Sequence, residues 1–112
     1  MTPEQIRRLL RRREHTTVEF KKAREKLPDT LFETVCAFLS RDGGTILLGV
    51  ADDGTVTGVE PGAVAHLTVD IVNLSNNRQK LDPPCILTPE VVEYEGMPIL
   101  VLHVPSSPQV HR

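Results

Sequence analysis

Residues 38–59 constrain this chain more than any other stretch. Apolar residues at helical spacing run up to Gly43-Gly44, and the strand-like run 45–50 begins at once. Two glycines at such a junction have separate uses. One takes positive φ at the helix end, and the other lets two backbones approach closely. Asp53-Gly54 then predicts a hairpin turn into a second strand, 55–59, because a type I′ turn needs positive φ at both central positions. Ile46, Leu47 and Leu48 are apolar on both faces, which places the first of these strands inside a sheet.

Thr2, Pro3 and Gln5 predict a helix start, with Thr2 as the cap and Gln5 closing a capping box. Ile6, Leu9 and Leu10 form one apolar stripe, Arg7, Arg8, Arg11 and Arg12 face away, and the helix should stop within residues 13–15. Residues 16–21 alternate as a strand, with Thr16, Val18 and Phe20 on one face and Thr17, Glu19 and Lys21 on the other. Residues 22–27 read as a mobile, basic connection ending at Pro28. Thr30 and Glu33 predict a second capping box, opening a helix to about Ser40 along Leu31, Phe32, Val35, Phe38 and Leu39. A third helix follows Pro61 and Gly62, on Val64, Leu67, Ile71 and Leu74, and Asn76, Asn77, Asp82, Pro83 and Pro84 end it. The last third reads as a hairpin, 85–94 and 97–104, joined at Glu95-Gly96, with Pro89 at an edge or bulge. The expected order is α-β-α-β-β-α-β-β: an α+β fold, one layered domain over residues 1–104 with helices packed on a mixed sheet. Residues 105–112 read as an exit linker towards a further C-terminal region.

A chain of 112 residues suits one domain. No apolar run approaches the roughly 20 residues that span a bilayer, and arginines interrupt the N-terminus too early for a secretory signal, so a cytoplasmic location without membrane contact is expected. Cys36 and Cys85 have no Cys-x-x-Cys spacing and read as reduced, buried thiols. His15, His66, His103 and His111 form no zinc-type pair. The formal net charge of -2 conceals an asymmetry, because residues 1–26 hold nine Lys/Arg against four Asp/Glu. A basic N-terminal quarter on an acidic remainder points to a polyanion partner, with a solvated arginine-rich helix face as the alternative.

Several chemistries have no support. There is no Gly-x-x-x-x-Gly-Lys-Ser/Thr loop, no Gly-x-Gly-x-x-Gly and no Gly-x-Ser-x-Gly, and Cys36 lies in an apolar helical arc. The acids offer more. Glu14 precedes the first strand, Glu19 lies on its polar face beside Lys21, and Asp52 and Asp53 lie at the tip of the expected central hairpin. Converging, Glu14, Glu19 and Asp52 (or Asp53) could hold Mg²⁺ or Mn²⁺ for phosphodiester hydrolysis, with Lys21 stabilising charge. Otherwise Glu19 pairs with Lys21 or Arg24, and the aspartates are turn residues. The basic cluster is the firmer signal: Arg12, Arg13, Lys21, Lys22, Arg24, Lys26 and Arg41 are suited to phosphate contacts. Phe20, Phe32 and Phe38 fall on expected core faces, so backbone tracking on duplex DNA or folded RNA is expected rather than base stacking.

Glu14, Glu19-Phe20-Lys21, the run 36–40 into Gly43-Gly44, the run 46–50, Asp52-Asp53-Gly54, Gly58-Val59 and the closing residues 105–112 together resemble the Schlafen AlbA-type domain. The likeness extends from Arg13 onward. It implies an N-terminal DNA-binding domain of a prokaryotic transcriptional regulator, needing no cofactor and preceding a larger C-terminal region. Vertebrate members include metal-dependent endoribonucleases acting on transfer RNA through two glutamates and an aspartate. By resemblance the glutamates fall on Glu14 and Glu19. The family aspartate directly follows Gly-Val, whereas here Ala51 intervenes and Asp52 stands one place later. Paired lobes in the vertebrate proteins imply a homodimer here. Three functions are therefore carried forward: a regulatory nucleic-acid-binding module, a metal-dependent nuclease, and a non-enzymatic dimerisation module.

Overall fold

The computed structural model describes residues 1–15, 17–81 and 83–107. Helix α1 (Pro3–Arg12) opens as its sequence dictates: the Thr2 hydroxyl accepts from the Gln5 N–H at 3.2 Å, and Gln5 Oε1 accepts from the Thr2 N–H at 2.9 Å. Ile6 is buried, Leu9 and Leu10 are half-buried, and the arginines project outward. The helix ends at Arg13, whose φ of 61° and ψ of -172° occupy a region essentially reserved for glycine.

Strand β1 (Val18–Lys21) runs parallel to β2 (Gly44–Leu48), with Val18 opposite Thr45 and Lys21 opposite Leu48. A parallel neighbour needs a crossover, and helix α2 (Leu31–Leu39) supplies it. After a 3₁₀ turn at Pro61–Ala63, helix α3 (Val64–Ser75) leads to the antiparallel pair β3 (Glu90–Tyr94) and β4 (Met97–Val104). The sheet order is β1-β2-β4-β3, with β2 and β4 antiparallel in the middle. The molecule is an α+β fold on a mixed sheet, as its sequence predicts.

Strand alternation divides the core into two layers. Ile46, Leu48, Leu100, Leu102 and Val104 face Leu31, Val35, Leu39, Leu67 and Ile71 of α2 and α3. Leu47, Ile99, Val101, Val18 and Phe20 face Ile6 of α1. Gly43 makes the α2–β2 junction possible: its φ is +79°, and an added Cβ would lie 2.5 Å from the Val104 carbonyl oxygen. Gly44 instead leaves room for the Phe38 ring, 2.9 Å from where its Cβ would be.

Four expectations change. The strand expected at 55–59 reduces to one bridge, Val50 with Val56. Gly49, Gly54 and Gly58 all take positive φ, and the N–H groups of Thr57 and Gly58 both donate to the Gly49 carbonyl, so no ladder continues. Thr30 does not cap α2: its ψ of 3° departs from the extended backbone of a capping residue, and its hydroxyl accepts from Lys21 Nζ at 2.8 Å. Residues 85–89 are not strand: the Cys85 N–H donates to the Ser75 carbonyl and the Leu87 N–H to the Ser75 hydroxyl, so β3 begins only after Pro89. The 22–27 connection is anchored rather than mobile. Ala23 is buried, the Arg24 carbonyl accepts from the Glu60 N–H at 2.8 Å, and His66 Nε2 lies 3.2 Å from the Glu25 carbonyl.

The turn at Glu95-Gly96 has φ of 51° and 79° and joins paired Tyr94 and Met97, as the sequence requires. At the exit, Ser106 Oγ donates to the Arg41 carbonyl and the Ser107 N–H to the Leu39 carbonyl. The remainder of the expected linker, 108–112, lies outside the described residues, as do Thr16 and Asp82. No helix among the described residues is long and apolar enough to cross a membrane.

Candidate functional site

The edge strand β1 organises the candidate site. Its inner carbonyls serve β2: Thr17 accepts from the Thr45 N–H, and Lys21 accepts from the N–H groups of Gly49 and Val50. The Phe20 N–H is satisfied by Glu14, whose Oε1 accepts it at 3.2 Å. Glu14 thus bonds an edge-strand amide from the short segment joining α1 to β1. Glu19 and Lys21 alternate away from buried Val18 and Phe20, as the strand period demands.

The close of β2 brings the second acid. The turn from Ala51 to Thr55, fixed by Gly54 N–H to Ala51 carbonyl and Ala51 N–H to Thr55 carbonyl, leaves Asp52 exposed. Asp52, Glu19, Lys21, Lys22, Pro28 and Thr30 then surround an open hollow of about 450 Å³. Asp53 has a different job. Its Oδ1 accepts the Thr55 N–H at 2.9 Å, and that bond holds its carboxyl below the usual range. Asp53 is a turn residue, while Asp52 faces the hollow.

Glu14 carries the electrostatic signature of this grouping. Burial pushes its carboxyl above the ordinary value, and the negative charges of Glu19 and Asp52 push the same way. The Phe20 N–H and the Lys21 ammonium oppose them. The acids feel one another, yet among the described residues no set of three His, Cys, Asp or Glu side chains is arranged to hold a metal ion. Glu14, Glu19 and Asp52 therefore make an acidic group whose oxygen donors suit a hard cation in kind but not in assembled geometry.

The seven basic residues do not form one patch. Lys21, Lys22, Arg24 and Lys26 cluster where β1 leads into the anchored loop, and residues 22–26 border a shallow surface hollow. Arg24 is paired with Glu60 at 3.2 Å, both exposed. Among the described residues, the other three make no ion pair within 4 Å. Arg41 lies before the opposite end of β2, beside Gly43. Arg12 lines another cleft, of about 390 Å³, with His15, Thr17, Asp42, Thr45 and His103. Arg13 lies near enough to Asp53 to lower its carboxyl. Sequence reasoning passed over His15 and His103, because nothing in their spacing brings the two together. His103 pairs with Glu90 at 3.2 Å, and His15 contacts Thr17 through Nδ1.

Residues 14–112 match the family model described as Schlafen, AlbA_2. The chain belongs to the Schlafen AlbA_2 family. The match begins at Glu14, the residue that bonds the β1 edge. Among solved structures, this AlbA_2 chain is similar to the N-terminal domain of a protein from Nitrosomonas europaea named for its relation to the ATP-dependent DNA helicase RecG. The TM-score is 0.70 at 24% identity, covering 95% of this chain and 74% of that one. At that identity the likeness establishes a shared fold.

Proposed function

We propose that this AlbA_2 domain binds nucleic acid through its phosphate backbone, as a DNA-directed regulatory module. The observation that carries this reading is the loop at the end of β1. Lys21, Lys22, Arg24 and Lys26 occupy six successive residues on a segment anchored by Ala23, Glu60 and His66, so the cations are held on a fixed backbone. Lysine and arginine on a rigid surface bind phosphate oxygens without reading bases. Arg12 and Arg41 extend the contact towards the other end of the sheet, and Arg13 adds a cation beside Asp53. The RecG-related name of the N. europaea protein agrees in kind with a nucleic-acid partner.

A second reading, divalent-metal-dependent cleavage using Glu14, Glu19 and Asp52, is favoured by one grouping: Glu19 and Asp52 line one hollow, and their charges add to burial in raising the Glu14 carboxyl, a repulsion that a Mg²⁺ or Mn²⁺ ion would relieve. Labelled DNA duplex and folded transfer RNA, incubated in Mn²⁺ or EDTA and run on native and denaturing gels, separate the two. Shifted but intact substrate in both conditions supports the binding module. Mn²⁺-dependent fragments lost in Glu19→Gln establish the nuclease, and the absence of any shift or fragments with either substrate contradicts both.

A further inference from the structure

Beside the lysine loop lies another cleft, lined by apolar and charged side chains together. Leu27, Pro28, Asp29, Phe32 of α2, Leu74 of α3 and Lys80 line it, around a volume of about 330 Å³. Such a volume falls at the lower end of the range for small-ligand sites. Phe32, Leu27 and Leu74 are only half-buried, so apolar surface remains open to the cleft. Asp29 and Lys80 are exposed at its rim, and neither makes an ion pair among the described residues. Pro28 is a wall of both this cleft and the hollow containing Lys21 and Lys22.

We propose that this cleft takes one unpaired nucleobase of a strand whose phosphates lie on Lys21 and Lys22. The inference rests on the nucleic-acid reading above and deepens it by naming the preferred substrate as single-stranded or locally unpaired. Three features select a base over an apolar peptide side chain. A half-buried aromatic lines the cleft, a carboxylate and an ammonium at the rim suit the polar edge of a base, and Pro28 is shared with the proposed phosphate hollow. A duplex keeps its bases stacked inside, so only an unpaired base enters. Phe32 also packs against the core, as its helical spacing predicts, and remains half-buried there.

The test is fluorescence anisotropy of the full chain with a short single-stranded DNA and an abasic strand of equal length. The wild type should bind the base-bearing strand at least about fivefold tighter. Phe32→Leu, which keeps the site apolar, should erase that preference while leaving abasic affinity unchanged. Lys80→Ala, at an exposed rim position, should reduce the preference without touching the core. Equal wild-type affinity for the two strands, or a preference that both variants retain, would overturn the base cleft and leave backbone binding standing. Binding to neither strand would overturn the base cleft, while a gel shift with duplex DNA would leave backbone binding standing.

Discussion

At the scale of single residues, two positions beside β1 carry unusual cost. Arg13 holds a backbone conformation that suits glycine, a strain on the order of 1–3 kcal/mol for a residue with a Cβ. Arg13→Gly should therefore raise the melting temperature while weakening nucleic-acid binding, because it relieves strain and removes a cation; a lowered melting temperature would count against the strain. Glu14 is the second. Its raised carboxyl means that its contribution to stability is complete below the unfolded value and is lost as pH rises through the folded one. Glu14→Gln keeps an acceptor for the Phe20 N–H and removes the charge, so it should match the wild type in acid and equal or exceed it at neutral pH. Glu14→Ala leaves that amide unpaired and should cost about 1 kcal/mol in urea unfolding.

At the scale of elements, legibility followed whether a signal was local. The α1 capping box, the two-faced apolar run of β2 and the Glu95-Gly96 turn each depend on neighbouring residues, and each is present. Two of the misplaced features depend on distant partners. Thr30 has a capping residue's sequence, but the Lys21 ammonium takes its hydroxyl. Residues 85–89 look extended, yet the amides of Cys85 and Leu87 close onto Ser75. In the site, Glu14, Glu19, Lys21 and Asp52 were legible as candidates from charge, position and family likeness. The Glu14 bond to the edge amide and the half-open Phe32 were not, since both follow from packing. The α2–β2 junction offers a test at this scale. Gly43→Ala forces a Cβ against the Val104 carbonyl and the Ser106 nitrogen in a positive-φ conformation, and should cost on the order of 3 kcal/mol in urea unfolding. Unchanged stability would mean that the junction readily shifts.

At the scale of the whole molecule, a formal charge of -2 hides how its cations are arranged. Most of the candidate phosphate contacts divide between the lysine loop at one end of β1 and β2 and Arg12 and Arg41 towards the other. On the proposed reading, a nucleic acid would meet candidate phosphate contacts at both ends, with the acidic hollow of Glu19 and Asp52 at one of them. Affinity of this kind is governed by counterion release, so it must fall with salt. The most direct measurement is the salt dependence of DNA binding for the wild type and for Lys22→Ala combined with Lys26→Ala. A linear fall of log K with log salt is expected, with a slope of about -0.9 per phosphate contacted, made shallower by about 2 in the double variant. Binding that ignores salt, or a slope that the double variant leaves unchanged, would contradict a phosphate-binding role for the β1 loop.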